Sequence, residues 1–275
     1  MKRIILVIIA VFLLSGCGQT TRTVSISVEP ESVDEEGLAT SSQENKPATQ
    51  VTEGAETSKI EESEESLDAT INEESKTVEV PAKLGLPVLF AQQAPFANWD
   101  EVHEETCEEA SMIMVARYFK GQPLTETIME EELQKILKWQ EDRGYKVDAT
   151  AGETIQILKD YFKLEARLSE EVTADRIKYE LSQGNLIIVP AAGREFNNPN
   201  FKQPGPIYHM LVVKGYNDRE FITNDPGTRK GNGYKYSYET LLGATHDWDH
   251  ELAKDGMTDA EMAQGRKIMI IVEKP

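Results

Sequence analysis

Cys107 opens the stretch Thr106-Cys107-Glu108-Glu109-Ala110-Ser111-Met112-Ile113-Met114-Val115, which reads as the first turns of a helix. Free backbone N–H groups and the helix macrodipole place partial positive charge at such a position, which favours a thiolate, the nucleophilic form of cysteine. Glu105, Glu108 and Glu109 oppose it by charge, so a cation close to the sulfur is wanted, and an imidazolium is the usual supplier. Four histidines are present. His103 precedes the cysteine in a loop. His246 and His250 flank Trp248 at a spacing open to a metal, but no third ligand set lies beside them. His209 is different, because it begins a hairpin that Asp225 ends.

A turn centred on Asn217 with an odd number of loop residues would place His209 and Asp225 directly opposite on one face. The carboxylate could then take an imidazole N–H and fix the ring's tautomer and orientation. A strict two-residue turn at Asn217-Asp218 would instead pair His209 with Pro226. Acyl transfer through a thiol also needs donors for the developing oxyanion. The Cys107 N–H is one, and the side-chain amide of Gln92 or Gln93, upstream of the helix, is a second.

The elements that must position these groups follow from hydrophobic spacing. Helices are predicted over about 106–119, stopping at Gly121, then 125–140, 152–162, and 173–183 with Thr173 as N-cap and Gly184 as stop. The first is apolar on more than one face, which implies burial on several sides. Strands are predicted at 186–189, ended by Pro190, at 209–216 and 220–223 around Asn217-Asp218, and at 267–272. Helices first and an antiparallel sheet second make an α+β domain, a helical lobe packed on a sheet.

Composition divides the chain into three parts. Residues 1–16 have Lys2 and Arg3 followed by an apolar run from Ile4 to Leu14, the pattern of a signal peptide. The run is too short for a bilayer-spanning helix, which needs about 20 residues. It ends in Leu14-Ser15-Gly16-Cys17, which resembles the bacterial lipobox and implies cleavage before Cys17 and diacylglycerol on its sulfur. The expected location is therefore the extracytoplasmic face of a bacterial cell membrane, with lipid on Cys17 as anchor. Residues 17–80 read as a disordered, extended spacer. They contain no Phe, Trp or Tyr, and from Gly18 onward carry sixteen acidic against four basic residues, most of the net charge of −19. Residues 81–275 are long enough for one core and form the expected folded domain. The domain has no basic stripe, so nucleic acid is not an expected partner. With Cys17 lipidated, Cys107 is an unpaired thiol in an exported protein, where thiols are normally joined as disulfides.

The segments Gln93-Ala94-Pro95-Phe96-Ala97-Asn98-Trp99, Glu105-Thr106-Cys107-Glu108-Glu109-Ala110-Ser111, and Tyr208-His209 through Asn224-Asp225-Pro226-Gly227-Thr228 resemble the peptidase-like domains of cysteine-peptidase family thirty-nine. That papain-fold group is named for bacteriocin-leader peptidases. The resemblance runs from about residue 84 to the C-terminus. It implies Cys107 as nucleophile, His209 as base and acid, Asp225 as orienter and Gln93 as oxyanion donor, with no metal or organic cofactor. The leader peptidases place the glutamine about six residues before the cysteine and follow the cysteine with glycine. Here the gap is longer and Glu108 follows. The leader peptidases are fused to exporters, and this sequence shows no membrane-spanning transporter, so specificity for double-glycine leaders is not carried over, and the loop with Trp99 is more similar to the exported branch of the family.

The expected function is thus a membrane-anchored cysteine peptidase acting on a peptide or protein substrate through a thioester acyl-enzyme. Two alternatives stand beside it: a cell-wall peptide amidase with the same triad, and a peptidase-like module that binds peptide or protein without cleaving it. The anchor is testable directly. A fatty acid fed to producing cells should label the chain, and Cys17→Ala should abolish the label and release the protein to the medium; an unlabelled wild-type chain would remove the lipid from the account.

Overall fold

A computed structural model of the chain describes residues 22–23 and 79–275. The signal-like segment, Cys17 and almost all of the acidic spacer lie outside the described residues. Arg22–Thr23 (β1) pairs antiparallel with Glu79–Val80 (β2), and Leu84–Gly85 is β3. Three helices follow, Cys107–Phe119 (α1), Glu126–Glu141 (α2) and Ala151–Ile157 (α3). Next come Ala166–Ser169 (β4), Ala174–Ser182 (α4), Leu186–Ala192 (β5), Tyr208–Tyr216 (β6), Glu220–Asn224 (β7) and Asn232–Ser237 (β8). The described chain ends with Tyr238–Ala244 (α5), Asp259–Met262 (α6) and Met269–Val272 (β9). This is the α+β arrangement expected from the sequence, with the helix that carries Cys107 packed on an antiparallel sheet.

The sheet runs β4-β9-β5-β6-β7-β8, with β3 paired to the end of β6 at Leu84↔Tyr216 and Gly85↔Gly215. Every position of β5 and of β9 is buried. A strand covered on both faces loses polar alternation and reads as a continuous apolar run, which is why Leu186-Ile187-Ile188-Val189 was legible. β5 nevertheless runs on through Pro190, which pairs with Met210. Its pairing with β9 has already ended at Ile188↔Ile270, and the Pro190 carbonyl accepts from the His246 N–H at 3.1 Å on that side. The missing proline N–H therefore falls where no ladder partner is waiting, the position in which a strand tolerates proline.

Helix starts are set by side-chain caps. Thr125, Thr150, Thr173, Ser237 and Thr258 each accept a first-turn N–H, and Thr150–Glu153 and Thr258–Glu261 form reciprocal capping boxes. The helix predicted over 152–162 is α-helical only to Ile157 and widens into one π-type turn over Leu158–Phe162. β4, β8, α5 and α6 were not predicted. All are short, and the two strands are partly exposed, so none carries a long hydrophobic repeat.

The hairpin register differs from both versions read from the sequence. Asn217 N–H donates to the Glu220 carbonyl at 2.9 Å, and Asn217 Oδ1 accepts from the Arg219 and Glu220 N–H groups, each at 2.9 Å. This Asx turn moves the reversal onto Asp218-Arg219. The register is Tyr216↔Phe221 and Gly215↔Ile222, then a bulge at Lys214 shifts it to Val213↔Thr223 and Val212↔Asn224, where pairing ends. His209 and Asp225 are thus not opposed residues of one ladder. Asp225 lies one residue past the last pair, where its carboxylate is free to turn.

Candidate active site

Helix α1 brings Cys107 onto β6. Ser111 Oγ donates to the Met210 carbonyl at 3.2 Å, and the Met210 N–H donates to Cys107 Sγ at 3.2 Å, so both main-chain groups of Met210 are held by α1. As a first-turn donor, the Cys107 N–H has no acceptor within its own helix. The thiol itself is buried, only 5% exposed. Its hydrogen goes to Glu108 Oε2 at 3.1 Å, while Glu108 Oε1 accepts the Ala149 N–H at 3.2 Å. Burial first, then the Glu108 charge and its hydrogen bond, push the thiol well above the ordinary cysteine range; the Met210 N–H pulls the other way and is outweighed. The low thiolate pKa expected from the helix terminus is therefore not a property of this arrangement, because burial beside a carboxylate overrides the dipole.

His209 and Asp225 do meet. His209 Nε2 lies 2.8 Å from Asp225 Oδ1, and both side chains are buried. Asp225 is held by three further donors: the Gly227 N–H at 3.0 Å to Oδ1, and Tyr236 OH at 2.5 Å and Asn198 Nδ2 at 3.3 Å to Oδ2. Four donors on one carboxylate satisfy it without a formal cation. Burial, then the Asp225 charge, holds the Tyr236 phenol far above its usual range, so it remains a donor. Phe201 meets the His209 ring edge-on, with centroids 5.2 Å apart. A Cβ on Gly227 would come within 2.8 Å of His209 Cε1, so only glycine leaves room for the imidazole there. Among the described residues, His209 Nδ1 has no hydrogen-bond partner, and none joins the ring to Cys107 Sγ.

Gln93 is anchored between these parts. Its N–H donates to the Pro226 carbonyl at 3.0 Å, beside Asp225. Its Nε2 donates to the His103 and Glu104 carbonyls at 2.9 and 3.0 Å. Both amide hydrogens are thus spent on the turn that leads into α1, and Oε1 is buried without a partner. Gln92 donates only to the Pro95 carbonyl, at 3.4 Å. A cleft of about 430 Å³ lies over His209, lined among others by Gln93, Trp99, Glu105, Asp148, Tyr208 and Trp248. Cys107 does not line it.

The remaining histidines have other work. His103 is clamped between Asp100 (Nδ1, 2.7 Å) and Glu130 (Nε2, 2.9 Å). Burial disfavours its charged form, but the two carboxylates outweigh burial and raise its pKa. His246 Nδ1 is bound to the Gly265 carbonyl, and His250 Nε2 to Glu153 Oε2. Sequence reasoning missed Asn198, Tyr236 and Gly227, which join Asp225 from separate segments, and the Glu108 contact, which needed a side-chain direction. Of these only Gly227, inside the quoted Asn224–Thr228 segment, left a signal.

The family model of the Peptidase_C39 like family matches residues 87–250. Among solved structures, the crystal structure of a candidate C39-like peptidase from Bacillus anthracis is 14% identical with a TM-score of 0.45, covering 70% of this chain and 98% of that one. No curated protein sequence matches significantly.

The site carries a dense group of carboxylates. Burial pushes Glu109 up to about 7 from 4.5, against the pull of the Gln140 amide, which donates to its Oε1 at 2.8 Å. Burial likewise raises Asp148 to about 6 and Asp247 to about 6. A carboxyl with a raised folded-state pKa binds more protons folded than unfolded between the two values, so its contribution is intact below the unfolded pKa and is lost as pH rises through the folded one. The urea midpoint should therefore fall between about pH 5 and about pH 7.5, and Glu109→Gln should make that fall smaller. An undiminished fall in the variant would show that Glu109 is not a source of it.

Proposed function

Since this chain belongs to the Peptidase_C39 like family, a family of cysteine peptidases, we propose that it hydrolyses peptide bonds with Cys107 as nucleophile, His209 as base and acid, and Asp225 as the residue that orients the imidazole. The observation that carries this reading is the Asp225–His209 Nε2 contact at 2.8 Å, which leaves Nδ1 without a hydrogen-bond partner among the described residues, on the strand that also touches the sulfur through Met210. With Nε2–H given to Asp225, Nδ1 is the basic nitrogen. It takes the thiol proton, and the thiolate attacks the scissile carbonyl. The imidazolium returns the proton to the leaving amine. Water activated by the same nitrogen then releases the acyl group from sulfur.

Charge on the tetrahedral oxygen is met by the Cys107 N–H and by Gln93, which exchanges one of its two carbonyl partners for the oxyanion. The cleft over His209 is the substrate channel, and its aromatic side chains with Glu105 and Asp148 offer an extended peptide both apolar and acidic contact. We further propose that lipid on Cys17 holds the domain at the extracytoplasmic membrane face, on the acidic spacer.

Cleavage of a diverse peptide library, read by mass spectrometry, tests the reading. Cys107→Ala should abolish every cleavage made by the wild type. His209→Ala and Asp225→Asn should each slow cleavage by about 10²–10⁴. Products that persist in Cys107→Ala would refute a thiol mechanism. A wild type that binds peptides but cuts none would favour the binding module.

A further inference from the structure

Glu108 is an unusual neighbour for a nucleophile. It is 1% exposed, follows Cys107 directly, and one of its oxygens receives the thiol hydrogen at 3.1 Å. Its other oxygen is pinned by the Ala149 N–H, so the carboxylate is held in place and is not a surface acid that happens to fold inward. The sulfur accepts only the Met210 N–H, makes no hydrogen bond to His209 among the described residues, and does not reach the cleft. His209 Nδ1, the nitrogen that would receive the thiol proton, is correspondingly unpartnered. Donor and acceptor of the expected proton transfer are both present, and the donor is engaged elsewhere.

We propose that Glu108 is the resting partner of the Cys107 thiol, holding its hydrogen and keeping the sulfur out of reach of His209, so that the nucleophile is armed only when Sγ exchanges Glu108 for the imidazole. The inference rests on Cys107 being the nucleophile. The exchange breaks Sγ–H···Oε2 and forms Sγ–H···Nδ1. The proton then passes to Nδ1, leaving thiolate and imidazolium, while Glu108 keeps the Ala149 N–H. Rotation about the Cys107 Cα–Cβ bond supplies the movement, which also gives up the Met210 N–H contact to the sulfur, and no co-reactant is needed.

The charges around Glu108 all point the same way. Glu109 lies beside it on α1, Asp148 faces it from the segment before α3, and the Tyr208 phenol faces it from β6. Glu105 and His250 act on Asp148. Apart from His250, which acts at one remove, these are acids or phenols, so only the Met210 N–H favours a thiolate while the sulfur stays on Glu108, and it is outweighed. Glu109 gives its own hydrogen-bonding oxygen to Gln140 and does not touch the sulfur, which makes it the natural comparison.

Alkylation of Cys107 by iodoacetamide against pH, on the full-length chain and read by mass spectrometry on the peptide carrying Cys107, tests this. Wild type should alkylate slowly at neutral pH. Burial, then the charges of Glu109 and Asp148, raise Glu108 well above the ordinary carboxylate range, so Glu108→Gln removes the acceptor charge, at almost constant shape, over the alkaline range in which that acid is ionised. There it should move the profile down by about one pH unit or more, giving about tenfold or more faster alkylation. Glu109→Gln should move it less. Adding His209→Ala to Glu108→Gln should remove most of the gain, because the released thiol then lacks its second partner. Glu108→Asp, with the charge kept but drawn back from the sulfur, should fall between wild type and Glu108→Gln, and serves if the amide variant does not fold. An unchanged or upshifted profile in Glu108→Gln, or an equal shift in Glu109→Gln, would overturn the proposal. The readout does not depend on turnover. A chain that cleaves no peptide yet shows the Glu108 shift would sink the peptidase reading and leave Glu108 standing as the partner of a reactive thiol.

Discussion

The contact between the start of α1 and Met210 on β6 is the constraint from which the site follows. One turn of helix grips both main-chain groups of a single strand residue, through Ser111 Oγ and Cys107 Sγ. Because Met210 follows His209, fixing Met210 against α1 also fixes how far the imidazole can stand from the sulfur. β6 in turn is paired to β5 along its first part and to β7 along its second. A shift of α1 would have to break a buried sulfur contact and leave a strand N–H without a partner, which is costly in a dry interior. The relative position of thiol and histidine is therefore a property of the core and not of a loop.

The same packing explains why carboxylates are found where an apolar helix face was expected. Glu108 and Glu109 are almost fully buried, and each is partly satisfied, by Ala149 N–H and Gln140 Nε2 respectively. Among the described residues, Glu109 Oε2 and Gln140 Oε1 are both buried without partners. One proton on Glu109 would let these two oxygens share a hydrogen bond, closing an acid–amide pair, and the raised pKa has that direction. Burying two neighbouring acids is unfavourable while both are charged, and burial raises the pKa of both, that of Glu108 well above the ordinary range. The energetic cost lies at the point where the sulfur is held, as expected when a local rule is broken at a functional site and met by compensation elsewhere.

Much of this was legible. Long periodic segments such as 107–119 and 126–141, and apolar runs such as 186–189, announce themselves because burial imposes a period or removes one. Thr173 and Gly121 mark ends because capping and left-handed geometry are local chemistry. The meeting of His209 with Asp225 was legible as a possibility, but through an incorrect register. Asn217 captures two downstream N–H groups and moves the turn, and the bulge at Lys214 moves it again. The contact forms because Asp225 lies beyond the ladder and is gathered in by Tyr236, Asn198 and Gly227. Tyr236 comes from β8 and Asn198 from the loop after β5, and no sequence spacing connects these two to Asp225, whereas Gly227 lies two residues on. The charge of Glu108 was anticipated, but its direct contact with the thiol was missed for a related reason. A first-turn glutamate normally points to solvent, and only the tertiary position of Ala149 turns Glu108 inward.

Under the proposed mechanism, the depth of the sulfur has a consequence for any substrate. Nucleophilic attack needs the scissile carbonyl carbon within about 3–3.5 Å of Sγ, yet the cleft is lined by His209 and not by Cys107. Either the peptide is drawn down past the imidazole or the sulfur rises toward it. The first would push a peptide bond against Gly227 and Phe201, which already enclose the ring: Phe201 stacks on it edge-on, and Gly227 leaves no space even for a methyl group. The second requires one side-chain torsion and the loss of the sulfur's contacts with Glu108 and the Met210 N–H. The enclosure of His209 therefore favours movement of the sulfur. A rigid base with a mobile nucleophile is the division of roles that this packing permits.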